Sequence, residues 1–232
     1  MNSKTKRLAQ YGLLTALALV LSYLDRAIPL SALLSGMVPG IKLGLANTVL
    51  LYAIYLMGWE SAVFLMLAKV VLTGFFFGSL QAIYISLSGG IVSLLVMLLI
   101  KRYPTKGVLA AGFVVILAEI AIFLRNPHPG GQLLLAAILL GAAFLACIAA
   151  YILIRKGIIR GVPGTSIAGG IAHNIGQVLA VVIVSRTPQL LTMYLPGLIG
   201  IGAVVGTLTG IIAERVFRAL HINPEGPEGK SK

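Results

Sequence analysis

Thr165–Ser185 reads TSIAGGIAHNIGQVLAVVIVS, a run without a formal charge that is bounded by Arg160 before it and Arg186 after it. As a helix rising about 1.5 Å per residue it covers about 30 Å, the hydrocarbon thickness of a bilayer. Its middle nevertheless holds His173, Asn174 and Gln177. A stretch apolar enough to cross lipid that keeps polar side chains inside sets the fold class and shows where to look for function.

The rest of the chain repeats this pattern. Of 232 residues, 59% are hydrophobic and 10% charged, and the mean hydropathy is +1.02. That is too apolar for a soluble domain of this size, which must cover itself with polar surface. Backbone groups cannot go unpaired in hydrocarbon, and the apolar runs are helix-length rather than the alternating segments of a membrane barrel. The expected fold is therefore all-α, a polytopic transmembrane bundle. Dividing at charges, Pro and Gly places spans near 8–24, 43–58, 61–77, 80–100, 107–124, 132–154, 165–185 and 190–213, which makes eight helices with both termini on one side.

The net charge of +12 could point to nucleic acid or to anionic lipid, and its distribution decides. Lys4, Lys6, Arg7, Lys101, Arg102, Lys106, Arg155, Lys156, Arg160, Arg215, Arg218, Lys230 and Lys232 fall on the side of the termini. Only Arg26, Lys42, Arg125 and Arg186 fall on the other. By the positive-inside rule the termini are cytoplasmic and the basic excess is topological, so nucleic acid is set aside. The first span has the flank and apolar run of a signal peptide, but Asp25, Arg26 and Pro29 follow where a cleavage site would need small residues; it reads as a retained helix. One integral membrane domain is expected over 1–219, with the 25–42 loop a candidate lid and 220–232 a disordered cytoplasmic tail. Cys147, the single cysteine, reads as a small core residue.

Small residues mark close helix approaches. Gly202, Gly206 and Gly210 recur every four residues and expect a neighbouring backbone, most simply within the chain. Ala9, Gly12 and Ala16 form a shorter stripe on the first span that could face a partner protein. Ser86–Ile91 and Ser166–Ile171 echo each other, by an internal repeat or by chance.

Depth groups the polar residues. At about 1.5 Å per residue, Asn47 lies about 6 Å and Glu119 about 8 Å below the outer boundary, with Lys69 and Gln177 about 12 Å down. All share the outer half of the bilayer, which implies a hydrated cavity open to the outside. Lys69 is too deep to reach either surface easily by stretching, so it meets an anionic ligand or forms a structural ion pair with Glu119. Gly169, His173 and Gln177 fall on one helix face, where they meet a ligand or serve with Asn174 as interhelical hydrogen-bond glue. Before the second span, Pro39-Gly40-Ile41-Lys42-Leu43-Gly44-Leu45-Ala46-Asn47 sets a turn and a cation at a helix N-terminus, which suits an anionic group or, equally, an interfacial loop with a snorkelling lysine. His173 has no second ligand at metal spacing, and Asp25 is the only aspartate, so neither a metal site nor a magnesium-chelating cluster is expected. No phosphate-binding Gly-x-x-x-x-Gly-Lys loop, catalytic triad or cofactor ligand is apparent. The expectation is a non-enzyme without cofactor.

Residues 39–47, Leu-Ser-Gly-Gly at 87–90, Ala-Gly-Gly-Ile-Ala-His-Asn-Ile-Gly-Gln at 168–177 and Tyr-Leu-Pro at 194–196 resemble the bacterial membrane family called Gx transporters, also labelled heptaprenyl diphosphate synthase component I. That family is similar to the substrate-binding S components of energy-coupling factor (ECF) transporters, six-helix proteins that capture a vitamin-like solute outside the cell and pair with a cytoplasmic ATPase module. The resemblance covers roughly 1–102 and 163–213, and leaves 103–162 as an inserted helical pair. It implies Lys42, Asn47, His173, Asn174 and Gln177 as binding residues; Lys69 rests on depth alone. It also implies a bacterial cytoplasmic membrane protein that takes up a small anionic or amphipathic solute, with ECF-type transmembrane and ATPase subunits as partners beside membrane lipid. The alternative is a non-catalytic membrane subunit of a polyprenyl diphosphate synthase serving isoprenoid quinone synthesis. The orientation is testable by cysteine labelling: position 130 should react from outside the cell and position 156 only from inside, and the reverse pattern overturns it.

Overall fold

The computed structural model describes residues 2–27, 44–77, 80–103, 161–187 and 189–222, with single positions at 117, 152 and 156. Six helices are present among the described residues: α1 (Ser3–Ala27), α2 (Asn47–Leu56), α3 (Trp59–Phe77), α4 (Leu80–Arg102), α5 (Gly161–Ser185) and α6 (Gln189–Ala219). Five contain segments long and apolar enough to cross a membrane: Lys4–Asp25, Trp59–Phe76, Leu80–Arg102, Gly161–Ser185 and Gly197–Ala219. They mark a multi-pass membrane protein. The two helices expected within 107–154, the inserted pair, the 28–42 part of the candidate lid, Lys42, Glu119, Cys147 and the tail from 223 lie outside the described residues.

Contacts between helix ends give the topology. Tyr11 and Ser61 share a hydrogen bond of 2.7 Å, so α1 and α3 start at the same end of the bundle. At that end Lys101 Nζ donates to the Ile54 carbonyl at 2.7 Å, and Tyr55 bonds Thr165 at 2.8 Å. Phe217 stands edge-on to Tyr52, with ring centroids 5.0 Å apart. The starts of α1, α3 and α5 and the ends of α2, α4 and α6 therefore gather at one basic end that carries Lys4, Lys6, Arg7, Lys101, Arg102, Arg215 and Arg218. Lys101 helps close α2, since its cation satisfies a last-turn carbonyl at the negative end of the helix dipole.

The distribution of side chains inverts that of a soluble protein. Phe75 is 81% exposed and Leu80 86%, whereas Asn174 and Gln177 are fully covered and His173 is 3% exposed. Lipid accepts the apolar outer surface; polar groups need partners and turn inward. Two apolar clusters flank them. The larger, around Leu50, Ile54, Leu65, Met97 and Phe217, fills the basic end. The smaller, around Ile85, Val178, Val181 and Leu198, joins α4, α5 and α6 towards the other end.

α2 departs from expectation. The helix expected over 43–58 begins at Asn47, after a turn in which Gly44 takes φ +86. At ten residues it is about 15 Å long and spans half of a bilayer core. Its start therefore lies inside the protein, and Asn47 is level with Lys69 rather than nearer the outer boundary as helical counting implied.

The Gly202, Gly206 and Gly210 stripe packs within the chain. A Cβ at Gly206 would stand 2.7 Å from Ile167 Cα and 2.8 Å from the Ser166 carbonyl oxygen, both backbone atoms of α5. One at Gly202 would stand 2.8 Å from the Gly170 oxygen. Close backbone approach replaces the hydrophobic effect as the attraction between helices in lipid. Ala9, Gly12 and Ala16 are exposed, and nothing lies within 4 Å of a Cβ at Gly12. Gly206→Val should thus destabilise the protein by about 1–3 kcal/mol through overpacking, read as a lower melting temperature in detergent, whereas Gly12→Ala should leave melting unchanged. Equal melting of the two variants contradicts this packing.

Candidate functional site

α3 carries Lys69 into the centre of the bundle, where it is 5% exposed. Its Nζ donates to Asn47 Oδ1 at 3.2 Å, which joins the middle of α3 to the first residue of α2. That bond also orients the Asn47 amide and turns Nδ2, a pure donor, to a position without an acceptor among the described residues. Thr73, one turn along from Lys69 and 4% exposed, has a hydroxyl with no hydrogen-bond partner among the described residues.

α5 contributes His173 and Gln177, whose side chains meet with Gln177 Nε2 2.8 Å from His173 Nε2. Their spacing of four residues puts them on one face. α4 makes room for them: a Cβ at Gly89 would lie 2.8 Å from Gln177 Cγ and 2.9 Å from His173 Cε1. Asn174 turns the other way and donates from Nδ2 to the Leu198 carbonyl at 2.7 Å, which ties α5 to α6.

α1 supplies the residue that the sequence reading passed over. Ala18, Ser22 and Asp25 form the buried stripe of α1, with Asp25 3% exposed. Asp25 Oδ1 accepts the Leu45 N–H at 3.1 Å, so the carboxylate anchors the turn that starts α2. Asp25, Lys69, Thr73, Ser86 and His173, with Ser22, Gly44, Ala46 and Val70, line one narrow cleft that is partly open to the outside of the molecule. Its walls stand close together, leaving room for about one water; a larger solute requires them to part.

A second narrow cleft lies beside Gly44 and Asn47, lined also by Met97, Ser166, Gly170, Val205, Gly206 and Thr209. Of the residues expected at the site, the structure thus gathers Asn47, Lys69, His173 and Gln177 and points Asn174 at α6. The missed residues are Asp25, Ser22, Thr73 and Ser86. For Asp25 and Ser22 a signal existed: their i, i+3 spacing shares the face of α1 opposite the small-residue stripe. Among the described residues no group of three or more His, Cys, Asp or Glu could hold a metal ion.

No characterised protein and no solved structure matches the chain significantly. A family profile described as heptaprenyl diphosphate synthase component I matches residues 14–162 and 140–216. The two matches together run from within α1 almost to the end of α6 and take in the motifs that build the cleft. The chain belongs to the heptaprenyl diphosphate synthase component I family.

Proposed function

We propose that the protein is a solute-binding membrane component that takes up a small anionic or amphipathic molecule and is energised by a separate ATPase module, in the manner of ECF S components. The observation that carries this reading is the cleft itself. Six polar or charged side chains from four helices, Ser22, Asp25, Lys69, Thr73, Ser86 and His173, line one space inside a bundle whose outer face is apolar. Burying such groups is costly in lipid, and a ligand that answers them accounts for their retention. In this reading the basic end is cytoplasmic in a bacterial cytoplasmic membrane, and the cleft faces outward. Lys69, Asn47, His173 and Gln177 bind the solute, with Lys42 and Asn174 as the further candidates that the family motifs imply. The exposed Ala9–Gly12–Ala16 face of α1 receives the transmembrane subunit of the module.

The family's description favours a second reading, a non-catalytic membrane subunit of a heptaprenyl diphosphate synthase. Mass spectrometry of small molecules retained by the detergent-purified protein separates the two. A flavin- or vitamin-like compound is expected from uptake, and a prenyl diphosphate supports the subunit reading.

Two variants give quantitative checks. Lys69→Met keeps the apolar stem and removes the charge, and should weaken retention by about ten- to a hundred-fold, the loss of one charge-assisted hydrogen bond. If Lys69 serves only to pair with Glu119, retention survives while melting falls, and Glu119→Gln added to Lys69→Met restores stability. Wild-type retention in both variants removes Lys69 from the site. Gly12→Leu should abolish co-purification of a transporter module without changing melting; an unaltered pull-down counts against the ECF-type partner.

A further inference from the structure

We infer that the second cleft, beside Gly44 and Asn47, is a binding site for a single ordered water that bridges the start of α2 to α5 and α6. The inference stands apart from the solute-binding reading, because it concerns the other cleft and a ligand of one heavy atom.

The demand for a partner starts at Asn47, whose side chain is 7% exposed. Lys69 Nζ, which can only donate, lies 3.2 Å from one end of the amide, so that end is Oδ1 and the other is the NH2 group. Nδ2 has no hydrogen-bond acceptor among the described residues. A buried amide donor without an acceptor is costly, and native proteins answer such groups with protein or with ordered water. Asn47 lines the second cleft and Lys69 does not, so the end of the amide turned away from Lys69 is the one that this cleft serves. Glycine keeps the approach open: a Cβ at Gly44 would stand 3.0 Å from Nδ2.

Ser166 on α5 and Thr209 on α6 line the same cleft and offer the complement. Thr209 Oγ1 donates its one proton to the Val205 carbonyl at 2.9 Å, with the Gly206 carbonyl farther off at 3.3 Å. The two hydroxyls are 2.9 Å apart, so Ser166 is the donor in that bond and Thr209 the acceptor. Both protons are then engaged, and what each oxygen has left is capacity to accept. The cleft thus presents an N–H donor from α2 and hydroxyl acceptors from α5 and α6, with room for about one water. Water matches that pattern: its oxygen accepts from Asn47 Nδ2 and its protons go to Ser166 Oγ and Thr209 Oγ1, about three bonds in all, as is usual for a buried water. Other ligands of that size fail it. A metal cation would face the Asn47 N–H, and a halide has no proton for the hydroxyls. The bridge joins the part of the bundle that Lys69 organises to the part packed through glycines.

The test begins with the full-length wild type, in a crystal or cryo-EM map fine enough to show ordered waters. A peak within about 2.7–3.2 Å of both Asn47 Nδ2 and Ser166 Oγ is expected. A map that shows other buried waters but no peak here overturns the inference, as does a peak bonded to Asn47 alone or one with the anomalous signal of an ion. Melting in detergent gives an independent reading. Asn47 and Ser166 share no direct bond, so without a bridge the losses from Asn47→Ala and Ser166→Ala should add. With it, the second change has no bridge left to break, and the double variant should melt about 2–4 °C higher than the summed losses require. Strict additivity overturns the bridge. Thr209→Val takes the place of Ser166→Ala if that variant fails to fold, and the wild-type map decides alone if Asn47→Ala does.

Discussion

An ammonium in the middle of a membrane bundle must be answered by the protein, and the positions of several elements follow from how Lys69 is answered. Its Nζ reaches Asn47 Oδ1, which fixes where α2 begins. A helix that starts inside the bundle leaves amide donors without helical partners there. The turn at 44–46 absorbs part of that demand: Asn47, Thr48 and Val49 N–H donate back to the carbonyls of Gly44, Leu45 and Ala46. Leu45 N–H goes to Asp25. One buried cation thereby connects α3 to α2, and the turn that precedes α2 connects it to α1.

The other half of the cleft is held by a different kind of force. α4, α5 and α6 meet through glycines, with Gly176 against the Ser88 oxygen and Gly206 against Ile167 Cα at distances that admit no side chain. Ser93 Oγ donates to the Gly169 carbonyl at 2.8 Å, and Asn174 bonds the Leu198 carbonyl. Such interfaces have little slack, because a small displacement of one backbone meets the next. His173 and Ser86 sit on this scaffold, which holds them at defined positions.

Much of this was legible in the amino-acid sequence because lipid imposes strong rules. Span length, basic flanks and the density of small residues gave the five long apolar helices and the internal packing of the Gly202 stripe. Lys69 stood out from depth alone, and Gln177 from its place on the face of His173. Asn47 was found, but at the wrong depth: counting 1.5 Å per residue from Leu43 assumed a helix through Gly44, whose positive φ breaks it. Asp25 was overlooked because it lies at a helix end, where a carboxylate ordinarily faces water and carries no information. Only the tertiary fold, which brings the Leu45 N–H to its carboxylate and sets it in one cleft with Lys69, makes it a buried charge. Thr73 and Ser86 were invisible for a related reason: hydroxyls in membrane helices usually bond their own backbone, so residue type alone does not separate Thr73 from Thr209.

The contrast between the two halves of the cleft bears on which wall yields more easily. The space has room for about one water, so a larger solute would require some wall to give, and the free-energy cost is least where the fewest tight interactions break. On the α4–α5–α6 side, opening means parting helices in backbone contact. On the α1 side, the joint between Asp25 and the 44–46 turn includes a hydrogen bond from the Leu45 amide at 3.1 Å, worth about 1.5–3 kcal/mol for a charged acceptor. Asp25 thus both lines the cleft and holds the turn in place, while His173 keeps its position on the glycine-packed helices.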